Sequence, residues 1–326
     1  MYYFLLNLNK RGMERVAIIQ KVKKVLEDAG FQIAEECNFR DVGFDLVARR
    51  GKNILILKIL ANIDAFTEQV AKDLKSLACL LRASLILIGE RDGSAKLEDD
   101  VVYFRNGVPT VTPDTLRNYL VHNLPIQVYA APGGFYVRID GKKLREEREK
   151  RNLSRGDLAR LLHVSRRAIK MYEEGMDARV EIAALMEEIL NPSVIKDFDL
   201  LQPIRSTKVE RGVEEIEWLY NFQKEILSMI EKIGYKVIPT RRCLFDAVSK
   251  EKRNVLLTSV RRYDFSLKKR ARVMGSIARV TGKHAVIFTD REERKNIEGT
   301  PTISRKELVR IRDPDEMLDV IIERES

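Results

Sequence analysis

The chain has 326 residues, a length for two or three domains, and its 44% apolar and 33% charged residues are an ordinary globular balance, which excludes a disordered polymer. Its net charge of +10 divides as +2 over residues 1–122 (18 basic, 16 acidic), +1 over 123–200 (14, 13) and +7 over 201–326 (27, 20), an excess that favours a polyanionic partner without specifying DNA. Three cysteines (Cys37, Cys79, Cys243) with no CxxC, and three histidines (His122, His163, His284), assemble neither a disulfide framework nor a zinc site, and no apolar run reaches the eighteen residues of a membrane span.

A soluble protein of a reducing, cytoplasmic compartment is expected, with no cofactor, no metal and no membrane partner. No Walker loop, GxGxxG or Ser/His/Asp set is present.

In chain order, Val16, Ile18, Ile19, Val22, Val25 and Leu26 lie on one helical stripe within 12–29, and Gly30 follows as a C-cap. Strands are expected at 31–34, 44–48 and 54–60, a helix at 66–82 and a buried strand at 84–88. The segment 125–139 holds Pro132-Gly133-Gly134 between two alternating apolar runs, the mark of a hairpin.

Next, Leu158, Ala159, Leu161 and Leu162, then Val164, Ile169 and Tyr172, put an apolar stripe on each of two short helices about three residues apart, which is helix-turn-helix spacing. Ser154 with Asp157 three positions on, and Ser165, mark the two helix starts as capping residues.

Over 141–190 the residues resemble the phage-repressor (Xre) type of helix-turn-helix. The pattern is carried by Leu144-Arg145, Leu153-Ser154, Leu158-Ala159, Val164-Ser165, Ile169, Glu173 and Gly175. The resemblance implies double-stranded DNA as partner and a recognition helix over 165–174, with Ser165 at its start. Arg166 and Arg167 would stand at base edges, and Lys170 and Arg155 at phosphates. It also implies a structural pair of Arg145 with Glu173. The chain departs from the pattern at the turn, where His163 replaces glycine and must take a left-handed conformation, and at Arg155, where the family has glutamine. The chain as a whole resembles archaeal proteins described as helix-turn-helix transcriptional regulators.

The opening order then returns. A helix is expected at 213–233, strands at 235–238, 245–248 and 255–260, a helix at 267–281 and a strand at 285–288. Arg11-Gly12 answers Arg211-Gly212, Gly30-Phe31 answers Gly234-Tyr235, and Phe44-Asp45 answers Phe245-Asp246. The run from Gly107 through Pro109 to Val111 answers the run from Gly299 through Pro301 to Ile303. The fold class is therefore α/β, with two copies of one domain plus an all-α helix-turn-helix. The expected boundaries are 1–122, a hairpin connector 123–140, the helix-turn-helix 141–192, a linker 193–210 and 211–326.

Helix, three strands, helix, strand, with Asp on the second strand and Lys on the third, resembles the restriction-endonuclease-like PD-(D/E)xK fold. There two carboxylates hold a divalent cation and the lysine helps activate water. Asp45 and Lys58 occupy two of these positions in copy one, but the glutamate position is Ile56. Copy two keeps Asp246, with Leu257 and Ser259 at the other two positions. One carboxylate is a poor site for a hard cation, so both flanks are expected to be degenerate and non-catalytic, unless Glu35, Glu36 or Asp41 supplies a migrated ligand. Arg261, Arg262, Lys268, Lys269 and Arg270 are candidate phosphate contacts in copy two. Three readings follow: a sequence-specific DNA-binding regulator that is not an enzyme, a metal-dependent nuclease or resolvase targeted by its helix-turn-helix, and a scaffold for a protein partner. Since one recognition helix reads one half-site, a homodimer is expected.

Overall fold

The computed structural model describes residues 2–205, 217–264, 266–291 and 294–325, with the backbone alone for 2–12. The expected Arg211-Gly212 motif, the start of the helix at 213 and the linker residues 206–210 lie outside the described residues. Contacts gather the chain into two compact units, Met1–Val25 with Leu60–Ala65 and Leu87–Leu200, and Leu26–Ile59 with Phe66–Ile86 and Leu201–Ser326. This grouping divides the first copy, whereas the sequence places one boundary after residue 122.

Helix α1 (Tyr2–Asp28) starts earlier than expected and closes at Gly30, where φ is +74° and the amide donates to the Glu27 carbonyl at 2.9 Å. Strands β1 (Gln32–Ile33), β2 (Leu46–Arg50) and β3 (Asn53–Asn62) are antiparallel neighbours. Helix α2 (Glu68–Leu81) is capped by Thr67, whose hydroxyl accepts from the Val70 amide, and ends at Arg82 in the left-handed region. Strand β4 (Ser84–Asp92) follows, and in the first unit it pairs antiparallel with β5 (Ala95–Lys96) and parallel with β7 (Val108–Val111), itself antiparallel to β6 (Val101–Arg105). Helix α3 (Pro113–Leu120) leads to the hairpin of β8 (Val128–Ala131) and β9 (Gly134–Ile139).

That hairpin is more than a connector. After helices α4 (Gly141–Lys150), α5 (Arg155–Leu161) and α6 (Arg166–Glu173), β10 (Ala178–Arg179) returns to pair with Tyr136 and Val137 of β9. After helix α7 (Val180–Ile189), β11 (Ile195–Lys196) pairs with Arg138 and Ile139. The helices are thus tied to β9 at both ends, and Ile139 joins their apolar core.

In the second unit α8 (Asn221–Ile233) precedes β12 (Lys236–Pro239), β13 (Ala247–Glu251) and β14 (Asn254–Arg261). Helix α9 (Leu267–Thr281), β15 (His284–Thr289), β16 (Asn296–Ile297), β17 (Thr300–Ser304), α10 (Arg305–Leu308) and α11 (Pro314–Glu325) complete it. The sheet order β12-β13-β14-β15-β17-β16 repeats, strand for strand, that of β1, β2, β3, β4, β7 and β6; β12–β13, β13–β14 and β16–β17 are antiparallel and β15–β17 parallel, as are β1–β2, β2–β3, β6–β7 and β4–β7. The chain is therefore a duplicated α/β fold with an all-α insert.

Within the second unit the copies pack on each other. The Gly43 amide donates to the Arg242 carbonyl at 2.7 Å, the Glu35 amide to Ser276 Oγ at 2.9 Å, and Lys250 Nζ to the Leu80 carbonyl at 2.9 Å. A Cβ at Gly43 would lie 3.5 Å from the Arg242 carbonyl of the other copy and 3.2 Å from Leu74 Cδ2 of its own. Ion pairs cross in both directions, Asp41 to Arg270 at 2.5 Å and Arg242 to Asp73 at 3.5 Å.

Candidate nucleic-acid interface

The helix-turn-helix forms because its ends are chemically fixed and its inner face is apolar. Asp140 caps α4 by accepting from the Lys143 amide. Ser154 and Asp157 form a reciprocal capping box at 3.1 and 3.0 Å, and Ser165 Oγ accepts from the Ala168 amide at 3.1 Å. His163 adopts φ +54°, as the turn demands of whatever replaces glycine. Leu144, Leu158, Leu162 and Ile169 are wholly buried between the helices. Gly141 is required by close approach, since a Cβ would collide with the Glu173 carbonyl at the end of α6.

The Glu173 side chain is entirely buried and its charge is answered by arginines. Arg148 Nε donates to Oε1 at 2.7 Å and Arg155 Nε to Oε2 at 2.8 Å, while Arg145 Nε stands 3.5 Å from Oε2 and is half exposed. Arg148 also donates to the Leu153 carbonyl at 2.8 Å, locking the α4 to α5 turn. Burial would raise the Glu173 pKa, but the bonds and charges of Arg148 and Arg155 more than offset it and hold the carboxyl below its ordinary value. The partner that sequence reasoning missed is Arg148. Its signal was the four-residue spacing from Leu144, which puts both on the buried face of α4. Arg155, expected at a phosphate, reaches inward to Glu173 from the first turn of α5, with a third of its side chain left exposed.

On the outer face of α6, Arg166, Arg167, Lys170 and Met171 are exposed. Lys170 has a loose contact with Glu174 at 3.7 Å, and Arg166 and Arg167 form no ion pair or hydrogen bond through their side chains among the described residues. Two whole positive charges with unused donor forks thus stand on the first turn, directly after the Ser165 cap.

The secondary candidates are placed less uniformly. Arg261 donates to Asp246 at 3.1 Å, and Arg270 binds Asp41 and lies over the Phe39 ring at 4.7 Å, with Lys269 over the same ring at 5.3 Å. Arg262 and Lys268 are exposed. Two of these five cations therefore serve the packing of the copies.

At the nuclease-like positions the register sets Asp45 opposite Lys58, since Leu46 pairs with Leu57. Asp45 accepts from the Ile59 amide at 2.6 Å and faces Lys58 Nζ at 3.4 Å. Asp246 accepts from the Val260 amide at 2.7 Å, Gln223 Nε2 at 2.9 Å, Arg261 and Ser259 Oγ at 3.2 Å. Burial raises its pKa, outweighing the lowering by Arg261 and by the bonds from Val260 and Ser259. Ile56 and Leu257, where a second carboxylate would stand, are fully buried in the apolar core, and the Asp41 carboxylate is committed to Arg270. Burial, then Asp45, pushes the nearby Cys37 thiol up to about 12. A divalent cation needs several free oxygen ligands. These carboxylates accept from N–H donors instead, so the residues present do not fit the metal that the fold implies.

Fold and face together define a helix-turn-helix protein with restriction-endonuclease-like flanks. The profile of the PD-(D/E)XK superfamily domain matches residues 15–126, and a helix-turn-helix profile matches 144–193. Similar chains carry the printed name "Putative HTH-type transcriptional regulatory protein". That of Natronomonas pharaonis is 38% identical, covering 96% of this chain and 99% of its own, and that of Methanococcoides burtonii 40%, covering 96% and 98%. That of Archaeoglobus fulgidus is 36% identical, covering 94% and 98%. The chain belongs to this family of archaeal helix-turn-helix regulatory proteins. No solved structure matches it. Among the described residues no helix is long and apolar enough to cross a membrane.

Proposed function

We propose that the protein is a sequence-specific, double-stranded-DNA-binding transcriptional regulator of the cytoplasm, not an enzyme, whose nuclease-like copies shape the molecule without cleaving its target. The observation that carries this reading is the pair of exposed arginines, Arg166 and Arg167, unpartnered among the described residues and beside the Ser165 cap. A guanidinium fork bonds guanine O6 and N7 together, and the first turn of a recognition helix is where base edges are met. Lys170, and the outward third of Arg155, serve phosphates; Arg262 and Lys268 remain free to do the same in copy two.

After selection of the preferred site from random DNA, Arg166→Ala or Arg167→Ala costs about 1–3 kcal/mol on that site and relaxes the base preference there. Lys170→Ala weakens all sequences alike. Equal losses on selected and random DNA for both arginines would remove the assignment of α6. The match of residues 15–126 to a PD-(D/E)XK profile supports a nuclease as the second reading. Magnesium- or manganese-dependent cleavage of supercoiled or branched DNA, abolished by Asp45→Ala, would establish it.

Because the copies pack within one chain, the homodimer expected from half-site counting forms through another surface. Light scattering reads the mass. A monomer bound to a selected site without palindromic symmetry would refute the dimer.

A further inference from the structure

Where copy two packs on copy one, a second concentration of positive charge appears, remote in sequence from α6. Arg49 and Lys250 occupy equivalent positions, one on β2 and one on β13, and each reaches to the C-terminal end of the other copy's helix. The Arg49 guanidinium lies over Gly282, the C-cap of α9, where a Cβ would collide with it, and Lys250 Nζ bonds the Leu80 carbonyl near the end of α2. Arg82 caps α2 as Gly282 caps α9, and Lys283 follows the α9 cap at the position where copy one has Ala83. Four cations from two copies thus gather at two helix ends, Arg49 beside Lys283 at the end of α9 and Lys250 beside Arg82 at the end of α2.

None of the four has a carboxylate partner among the described residues. Burial, then the cations around it, including Lys250, Arg49 and Arg82, holds Lys283 below the ordinary lysine pKa. Burial likewise holds Lys250 down, with Arg82 and Lys236 adding to it and Cys79 opposing. A helix C-terminus offers roughly half a negative charge. Two such ends answer about one of four positive charges, and the remainder repel one another in a partly desolvated place. Capping alone does not account for the set.

We propose that Arg49, Arg82, Lys250 and Lys283 form a binding site for phosphate oxygens at the seam of the two copies. Its ligand is a phosphate-bearing polyanion, either the backbone of duplex DNA or a small polyphosphate. The site does not depend on base reading by α6. It differs from the basic residues of β14 and α9, two of which are consumed in holding the copies together.

The test uses full-length protein carrying Arg166→Ala and Arg167→Ala, so that failure of the recognition helix is already removed from the readout. Into it are placed Arg82→Asn, an exposed position where asparagine suits the left-handed cap and the fold is undisturbed, and separately Lys250→Gln with Lys283→Gln. Random duplex DNA is titrated over a range of salt, and inorganic tripolyphosphate is titrated against the thermal midpoint. The expected result is a loss of about tenfold in duplex affinity with a salt slope shallower by about one to two, each phosphate contact contributing about 0.9. Alternatively, duplex binding stays unchanged while tripolyphosphate stabilisation is lost, which identifies a small ligand at the same site. Lys250→Arg with Lys283→Arg restores whichever is lost. If Arg82→Asn and the double glutamine variant bind both polyanions as the parent does, the cluster only caps helix ends and the proposal is overturned.

Discussion

The two nuclease-like copies keep the same aspartate and surround it differently. In copy one Asp45 straps the β3 amide of Ile59 and faces a lysine; in copy two Asp246 straps the matching β14 amide of Val260 and is further held by Gln223, Ser259 and Arg261. What persists is the carboxylate-to-backbone bond that joins the start of one strand to the next. What differs is the kind of side chain beside it, a lysine in copy one and an arginine with a glutamine and a serine in copy two. The carboxylate-to-backbone bond is thus common to both copies, whereas in a nuclease the same aspartate would also hold a metal.

The sharpest way to break the comparison is Asp246→Ala. It leaves the partly buried Arg261, the Val260 amide and the Gln223 side chain unanswered and costs about 3–5 kcal/mol. Asp45→Ala, which releases the Ile59 amide and the longer contact of Lys58, costs about 1–3 kcal/mol. Chemical denaturation of the full chain reads both, and equal losses would show the copies to be alike after all. Glu173 in the helix-turn-helix supplies an outside reference, since it too is a buried carboxylate gripped by arginines. Its folded pKa is depressed, so its contribution is complete above the unfolded glutamate value of about 4.3 and is lost as pH falls through the lower folded value. Acid titration followed by DNA binding and circular dichroism shows this loss in the native protein. In Glu173→Gln the acid-dependent part is missing.

The smallest expected effect concerns the seam. Asp41 and Arg242 are equivalent positions of opposite charge, and each meets its opposite on the other copy's helix, Arg270 and Asp73. Pairing like copies would set acid against acid and base against base. Asp41→Arg costs about 0.5–1 kcal/mol and Arg270→Asp restores it, a coupling read by a double-mutant cycle. Absence of coupling would mean that the ion pairs do not select the partner.

Much of this was legible from local signals. The capping residues Ser154 and Ser165, the left-handed turn at His163 and the helix Leu267–Thr281 are set by interactions within a few residues, which sequence spacing displays. The repeat was legible for the same reason, because its glycines and aspartates recur in order. The strand boundaries shifted by one to a few residues, as at Leu46–Arg50 against the expected 44–48, because strand ends are fixed by their partners.

The charged residues divide along the same line. Sequence pattern determined that arginines would crowd α4, α6 and α9, and that the copies would lack a second carboxylate at Ile56 and Leu257. Only the tertiary structure decided which arginines remain available. Arg148 and Arg155 turn to Glu173, Arg261 to Asp246 and Arg270 to Asp41, while Arg166 and Arg167 are left outward. An arginine's reach exceeds one helical turn, so its partner is chosen by whatever carboxylate the fold brings near, exposed for Asp41 and buried for Asp246 and Glu173. The cost of leaving a buried carboxylate unanswered settles the choice for the latter two.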